Sequence, residues 1–203
     1  MSIKTFYSNG KLLISGEYVV LDRAVSLAIP TKFGQSLTVE PITPSKLIWT
    51  SYDASGQIWY ENEFSIKDFH SEISIETDEI TKRLIQIIKT ARTLNPAFLS
   101  STSGFKITTH LDFKKEWGLG TSSTLINNMA QWANIDAFKL LEMTFGGSGY
   151  DIACAQHNKP ISYQLHNGKP LVKEVYFNPS FKQQLYFVYL NKKQNSREGI
   201  AQY

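Results

Sequence analysis

The segment Trp117–Thr124, with the sequence WGLGTSST, runs directly into an apolar pattern of helical period. Gly118 and Gly120 let the backbone turn tightly and approach a ligand closely, because glycine has no Cβ atom. The apolar positions that follow recur at i, i+4 and i+7: Leu125, Met129 and Trp132. This pattern predicts an amphipathic helix that begins near Ser123 with a Ser/Thr N-cap.

A helix that starts beside an open glycine loop attracts anions. Its first-turn N–H groups lack partners within the helix, and the positive end of the helix dipole lies at the same place. The segment therefore predicts a phosphate site. An ordinary glycine turn with a Ser/Thr cap explains the same residues, and the segment alone does not separate the two interpretations.

The composition is that of a globular chain. With 203 residues, of which 42% are hydrophobic, it is long enough for one substantial core, or for one domain and part of another. The net charge is only +3 and the basic residues are scattered, so we expect no nucleic-acid partner. No apolar run reaches membrane-spanning length, so we expect no membrane partner.

The single cysteine bears on both compartment and chemistry. Cys154 cannot form an intrachain disulfide, so we expect a reducing, cytoplasmic location. Its neighbours Ala153 and Ala155 are small, which predicts tight helix packing rather than a nucleophile.

The first third of the chain alternates apolar and polar residues, which predicts short strands. Strands are expected over Ile3–Ser8 and Lys11–Ser15, joined by a hairpin turn at Asn9-Gly10, and over Tyr18–Leu21 after a break at Gly16-Glu17. Further strands are predicted at 24–30, 35–40, 47–52 and 57–60, with the β-rich part ending near Ile75.

Helices and strands alternate in the remainder. Helices are predicted at 77–93, stopped by Asn95-Pro96, and at 136–145, whereas the other strands are predicted at 104–111, 160–165, 171–175 and 185–190. A second glycine cluster, 146–149, leads into Tyr150–Gln156, and a new element starts at Ser196. The mixture predicts an α+β fold.

Several common kinds of active site are missing from the sequence. The histidines are far apart and lack the spacing of metal ligands, so surface or capping roles are expected for all of them: His70, His110, His157 and His166. The sequence also lacks a Gly-x-Ser-x-Gly elbow and a P-loop of the Gly-x4-Gly-Lys-Ser/Thr type. Phosphate binding must therefore rest on a different kind of loop.

Three segments in order resemble motifs of the GHMP kinases, the family of galactokinase, homoserine kinase, mevalonate kinase and phosphomevalonate kinase. Gly10–Leu21 is similar to the N-terminal motif, in which Gly-Lys precedes an apolar strand and Gly-Glu-His or Gly-Glu-Tyr. Gly118–Ser123 is similar to the phosphate loop, usually Gly-Leu-Gly-Ser-Ser-Ala, although Ser123-Thr124 replaces the alanine that normally follows the paired hydroxyl residues. Gly147–Asp151 resembles the Ser-Gly-x-Asp segment.

The resemblance implies a role for each motif. The backbone of the loop would wrap the β- and γ-phosphates of ATP: Gly118, Leu119, Gly120, Thr121, Ser122 and Ser123. Asp151 would accept the proton of the acceptor hydroxyl, and Lys11 would screen the developing phosphoryl charge. Taken singly, Asp151 also fits an N-cap of the following helix, and Lys11 a surface residue beside the hairpin.

The resemblance also implies a Mg²⁺ ion. The Ser122 hydroxyl would bind it, and Glu142 is the best candidate for the helix glutamate that supplies a second ligand in the family. Glu142 equally fits a solvated helix position, since glutamate favours helices.

The fold implied is the family's N-terminal domain, a ribosomal-protein-like, left-handed βαβ type with a mixed sheet and helices packed on it. We expect that ATP-binding domain over 1–180 and the start of a second, truncated domain over 181–203, because the family's C-terminal glycine-rich motif is absent. The chain is then expected to be the N-terminal portion of a longer kinase.

The acceptor is left open. Gly16-Glu17-Tyr18 and Gly149–Ala153 are closer to the mevalonate-pathway branch than to sugar or homoserine kinases, which favours mevalonate or phosphomevalonate. The purine pocket is expected around Trp49–Tyr60 or Thr77–Arg92. A catalytically incompetent nucleotide-binding module and an RNA-binding domain are the competing interpretations, and the oligomeric state is open.

Overall fold

The computed structural model describes residues 2–70, 78–100 and 103–190, which form a mixed seven-stranded sheet with four α-helices. The strands are β1 (Lys4–Ser15), β2 (Ser26–Ile42), β3 (Lys46–Tyr52), β4 (Ile58–Ser65), β5 (Gly104–Leu111), β6 (Ile161–His166) and β7 (Lys169–Glu174). The helices are α1 (Glu79–Leu94), α2 (Thr121–Ala133), α3 (Ala137–Thr144) and α4 (Tyr150–Gln156). The α+β prediction is confirmed.

The long strand β2 organises the sheet. The strand order is β4-β3-β5-β2-β6-β7, and β1 pairs with β2 as well. β5 pairs with the second half of β2 and β6 with its start, both antiparallel. β3 and β5 are parallel, and the chain crosses between them through β4 and α1. The left hand of this crossover stays a prediction.

The main core lies between the sheet and helices α1–α3. The alternation of β3 places Leu47 and Trp49 in this core, and α1 contributes Leu84, Ile87 and Ile88 from one face. Burying one such side chain stabilises the fold by about 1.5–3 kcal/mol. α1 begins at an N-cap, Asp78, whose carboxylate accepts hydrogen bonds from two first-turn amides, as its predicted acidic first turn suggested.

The predicted hairpin at Asn9-Gly10 is wrong. β1 continues through these residues as one twelve-residue strand, with a register shift against β2 between Asn9 and Lys11. The Asn9 side chain donates hydrogen bonds to the His157 carbonyl and to Asn158 Oδ1 instead of closing a turn. Tertiary pairing with β2 thus overrides the local turn signal.

The strand predicted at Tyr18–Leu21 is also wrong. Residues 17–23 form successive turns, in which Val20 N donates to Gly16 O and Leu21 N donates to Tyr18 O. Only Val20 of this run is fully buried, so its apolar residues do not build a sheet face. The strands predicted at 24–30 and 35–40 are one continuous strand, β2.

The strand predicted at 185–190 is wrong as well. Residues 185–190 follow a short 3₁₀ turn, Lys182–Gln184, and pair with no strand among the described residues. A strand needs a neighbouring strand that pairs with its backbone N–H and C=O groups. The apolar residues of this segment suggested a strand but carried no information about such a neighbour. The predicted element at 196 and the β-rich boundary near Ile75 lie outside the described residues.

Candidate functional site

The glycine loop and the start of α2 differ from the sequence prediction in one respect. α2 begins at Thr121, not near Ser123, and its N-cap is Gly120, with φ 98° and no side-chain cap hydrogen bond. Ser123 Oγ and Thr124 Oγ1 donate back to the Gly120 carbonyl instead of accepting from first-turn amides. The predicted Ser/Thr cap is therefore wrong, because these hydroxyls bond backwards along the helix.

The first-turn amides of α2 are therefore not capped by side chains of this helix. The first turn of α2 contains no acidic residue, so no carboxylate in it offsets the positive end of the dipole. Ser122 is exposed and Thr121 is half-buried in this turn. These features are those of an anion site at a helix N-terminus.

The loop is fixed by its central leucine. Leu119 is buried in a small apolar cluster with Leu111 and Phe113, and Leu12 and Trp117 pack against it. The Leu119 carbonyl accepts a hydrogen bond of 2.9 Å from the Lys11 amide of β1. Leu119 thus anchors the loop in the cluster. The flanking glycines, Gly118 at φ 71° and Gly120 at φ 98°, lie outside the cluster.

Gly10 explains how β1 approaches the loop so closely. A Cβ at this position would lie 2.8 Å from the Leu119 carbonyl oxygen and 2.9 Å from that of Phe33. Such distances are too short for any side chain without moving backbone. The glycine of the Gly10-Lys11 pair therefore permits the contact between the first and second motifs.

The Lys11 side chain crosses the face of Gly120. A Cβ built on Gly120 would lie 3.3 Å from Lys11 Cγ and 3.7 Å from Lys11 Cε. The Lys11 ammonium lies 5.4 Å from the centre of the Tyr150 ring, within cation–π range. The structure therefore brings Lys11 to the glycine loop and to the start of α4.

Asp151 lies in the first turn of α4, and Gly149, not Asp151, is the N-cap of that helix. Its carboxylate accepts a 3.0 Å hydrogen bond from the Ile152 amide. Burial raises the pKa of Asp151 above its ordinary value of 3.8, while the Lys11 charge, backbone amides and the Ser123 hydroxyl act in the opposite direction. Burial prevails, so this carboxylate accepts a proton more readily than an exposed one.

The positive charge of Lys11 and the carboxylate of Asp151 attract each other. Burial alone lowers the pKa of Lys11, but attraction from Tyr150, Asp151 and Glu17 outweighs it and leaves the pKa raised. Lys11 therefore carries a positive charge at neutral pH although it is largely enclosed. The three predicted motifs meet here: Lys11 from the first, Gly120 and Ser123 from the second, and Asp151 from the third.

The second glycine cluster is anchored from β6. Tyr163 is fully buried, and its hydroxyl donates a short hydrogen bond to the Ser148 carbonyl. Burial and the Asp151 charge both raise the pKa of Tyr163, so the phenol stays neutral. A Cβ on Gly149 would lie 3.0 Å from the Phe138 ring and 3.3 Å from the Tyr163 hydroxyl. The turn before Asp151 is thus held from two sides.

No contact joins the two predicted magnesium ligands, Ser122 and Glu142, and their role stays a prediction. Ser122 and Glu142 are both exposed, Ser122 in the first turn of α2 and Glu142 on α3. Glu142 lies one helical turn beyond Phe138, on the side of α3 that contacts Gly149. Within residues 2–70, 78–100 and 103–190, no three His, Cys, Asp or Glu side chains group as metal ligands. Mg²⁺ commonly takes one or two protein oxygens together with substrate phosphates, and a serine hydroxyl and a glutamate carboxylate are oxygen ligands of that kind.

A buried polar network behind the site was missed by sequence reasoning. Ser8 Oγ donates to Asn128 Oδ1 over 2.7 Å and accepts from Asn127 Nδ2 over 2.8 Å. Asn128 Nδ2 donates to the Gln35 carbonyl, and Thr124 Oγ1 donates to Gln35 Oε1. The network fixes α2 on β1 and β2, and nothing in the spacing of the asparagines pointed to it.

Two tryptophans beside the loop carry buried polar atoms without partners. Among the described residues, the indole N–H groups of Trp59 and Trp117 are buried and make no hydrogen bond. The Lys115 ammonium lies 4.2 Å from the centre of the Trp59 ring. β4 is therefore connected to the segment that enters the glycine loop, which places one of the two predicted purine-pocket regions near it.

The remaining predictions about single residues agree with the structure, because His110 and His166 are exposed, as a surface role requires. Cys154 is fully buried in α4, as predicted, and burial raises its pKa to about 12. His157 is the C-cap residue of α4, whereas His110 stacks on Tyr52 at 4.5 Å. Of the described helices, none is long and apolar enough to cross a lipid bilayer.

Comparisons with known proteins bear on the fold. No protein-family model matches the chain, and no curated protein sequence is significantly similar to it. Solved structures of small-molecule kinases are similar. Mevalonate kinase of Methanococcus jannaschii superposes with a TM-score of 0.65 at 14% identity, over 87% of this chain and 56% of that one.

Two further structures agree. Mevalonate kinase of L. major, in complex with R-mevalonate, gives a TM-score of 0.62 at 16% identity over 87% of this chain and 53% of that one. Galactokinase of Lactococcus lactis, complexed with galactose, gives 0.59 at 14% identity over 87% and 48%. The chain thus spans about half the length of the structures that it resembles. The chain therefore has the fold of the N-terminal part of the GHMP kinases, as its three motifs predicted.

Proposed function

We propose that the chain is the nucleotide-binding part of a small-molecule kinase, which transfers the γ-phosphoryl group of ATP to a mevalonate-like acid. One observation carries the proposal: the Lys11 side chain lies across Gly120 at the uncapped start of α2, with its charge coupled to Asp151. A phosphate site, a fixed cation and a buried carboxylate are the groups that phosphoryl transfer requires.

The amides from Gly118 to Ser123 are proposed to bind the β- and γ-phosphates. The helix dipole and the Lys11 charge then act on the same phosphoryl group, and both are in place before the ligand binds. Such preorganised groups lower the barrier because they do not reorganise as charge moves in the transition state.

Asp151 is proposed to accept the proton of the acceptor hydroxyl. A general base works best when its pKa approaches the working pH, and burial moves the pKa of Asp151 in that direction. The Lys11 charge stabilises the alkoxide that forms as the proton leaves.

Ser122 and Glu142 are proposed to hold Mg²⁺, which neutralises phosphate charge when it is bound. The purine is proposed to bind beside Trp59 and Trp117, because Lys115 connects the Trp59 ring to the segment that enters the glycine loop and aromatic rings stack on bases. This choice favours Trp49–Tyr60 over α1, because Arg83 of α1 lies over the ring of Phe145, the C-cap residue of α3.

Binding and transfer are tested separately on the 203-residue chain. Calorimetry with AMP-PNP and Mg²⁺ measures binding, and a coupled ADP-release assay measures transfer to mevalonate, phosphomevalonate, homoserine and galactose. Turnover of one acceptor identifies the substrate. Binding without turnover of any acceptor supports the catalytically incompetent module instead, and salt-dependent RNA binding without AMP-PNP binding supports the RNA-binding alternative.

The role of Asp151 is tested with Asp151→Asn. We expect transfer to mevalonate to fall by about 10²–10⁴-fold while AMP-PNP affinity changes only a few-fold. With phosphomevalonate the loss is smaller, because a phosphate nucleophile is already ionised near pH 7. An equal loss of binding and transfer contradicts the role as a base.

A further inference from the structure

Tyr150, between the N-cap Gly149 and the proposed base Asp151, has no role in the proposed transfer so far. Its side chain is partly buried and packs against a small apolar cluster that includes Ala28 and Ala153. Its ring faces the Lys11 ammonium, with Nζ 5.4 Å from the ring centre. It is therefore held by the core on one side and by the Lys11 cation on the other.

Apart from Tyr150 and the longer-range attraction of Asp151 and Glu17, the contacts of Lys11 lie along its stem. Its amide is bonded to the Leu119 carbonyl, and its Cγ and Cε atoms pass over Gly120. A lysine has four side-chain torsions and a strongly hydrated head group, so stem contacts alone leave the ammonium free to turn toward water. Among the described side chains, no carboxylate forms an ion pair with Lys11 within 4.0 Å.

Tyr150 supplies the missing contact at the head group. An aromatic face within about 6 Å of an ammonium attracts it, more strongly when the pair is removed from water. The neutral phenol also interacts with the ammonium through its oxygen, and Asp151 and Glu17 attract the charge. The ring is rigid and has only two side-chain torsions, so it defines one position for the ammonium.

We propose that Tyr150 is a positioning residue, whose aromatic ring and phenol hold the Lys11 ammonium over the glycine loop and beside Asp151. This inference rests on the proposed function, because it assigns the contact a purpose in binding the nucleotide phosphates. Tyr150 acts through Lys11 and contacts no phosphate itself. Its loss therefore matters only while Lys11 is present.

A double-mutant cycle on the 203-residue chain tests this dependence. AMP-PNP affinity is measured for the wild type, Tyr150→Leu, Lys11→Met and the double variant. We expect Tyr150→Leu to weaken binding about two- to thirtyfold in the presence of Lys11, the range that cation–π contacts span, and by less than about twofold in the Lys11→Met background. Tyr150→Phe keeps the ring, so it should fall between the wild type and Tyr150→Leu.

A parallel cycle in urea unfolding separates positioning from packing. Tyr176→Leu, at a tyrosine that is 90% exposed, is the matched control and should change neither stability nor affinity. If Tyr150→Leu lowers AMP-PNP affinity by the same factor with and without Lys11, the proposal is overturned. This holds even if the unfolding free energies show that Tyr150 and Lys11 are coupled. If the wild type binds no AMP-PNP, the proposed function fails and this inference fails with it. If the wild type binds but the cycle is additive, only this inference fails.

Discussion

Replacing Gly120 by alanine tests the central feature of the site, the passage of Lys11 across the loop. Gly120 has φ 98° and ψ 46°, a conformation that costs an L-residue about 1–3 kcal/mol. The new Cβ would also lie 2.6 Å from Ser123 Oγ and 3.3 Å from Lys11 Cγ, and such overpacking costs about 1–3 kcal/mol more. We therefore expect Gly120→Ala to lower the free energy of unfolding by about 2–6 kcal/mol.

Gly118→Ala is the matched control two residues away. Gly118 also has a positive φ, 71°, but a Cβ there meets nothing within 4 Å, so only the left-handed strain of about 1–2 kcal/mol applies. Urea unfolding at pH 7 measures both variants against the wild type. Equal destabilisation by the two alanines would refute the reasoning, because it would mean that Lys11 and Ser123 do not occupy the space next to Gly120.

AMP-PNP affinity provides a second test of Gly120→Ala. If Gly120→Ala displaces the Lys11 stem, AMP-PNP affinity should fall at least as far as in Lys11→Met. In the Lys11→Met background, where the shorter side chain carries no charge, the alanine should have a smaller effect on binding. Undiminished affinity in folded Gly120→Ala would show that the position of Lys11 does not matter to the nucleotide.

Three other properties are open to measurement. Asn128→Ala should lower the free energy of unfolding by about 3 kcal/mol, because it leaves the buried partners Ser8 and Gln35 unsatisfied. Gln131→Ala, on the exposed face of the same helix, should change it by less than about 0.5 kcal/mol. Similar values for the two variants in urea titrations would contradict the buried network. The raised pKa of Asp151 means that the folded state binds more protons than the unfolded state between 3.8 and the raised value. Wild-type stability relative to Asp151→Asn should thus increase as pH falls through that window in pH-dependent urea unfolding, and a change in the opposite direction would contradict the raised pKa. Cys154, with its pKa near 12 and its side chain buried, should react with a disulfide reagent at pH 8 only as the chain unfolds, whereas rapid labelling of the native protein would place it at the surface.

The sequence predicted the elements that are regular and local. The helix at α1 has an acidic N-cap and apolar residues at helical spacing, and the strands at β3 and β5 alternate, so period alone identified them. The prediction failed at Asn9-Gly10, a strong turn signal that lies inside a strand. It failed there because pairing with β2 and contact with the glycine loop are both long-range, and no local pattern encodes them.

In the candidate site, too, the sequence predicted some features and missed others. The three motifs could be located because each contains residue types that few other arrangements require, such as closely spaced glycines before hydroxyl residues. The direction of the hydroxyl bonds at Ser123 and Thr124 could not be predicted, because a serine or threonine near a helix start accepts from an amide or donates to a carbonyl with similar ease. Tyr150 lies within the third motif, Gly147–Asp151, but only the approach of β1 to α4 brings the Lys11 ammonium to its ring.

The roles of Gly10 and Lys11 depend on the fold as well as on their residue types. Side chains alternate along a strand, so two neighbouring residues of β1 serve two different purposes. The missing side chain of Gly10 lets the Leu119 carbonyl come close, and the next amide, that of Lys11, then binds this carbonyl. The Lys11 side chain is thereby fixed at its base beside Gly120. A change at Gly10 should therefore act on the ligand through Lys11, and Gly10→Ala should lose its effect on AMP-PNP affinity once Lys11 is methionine.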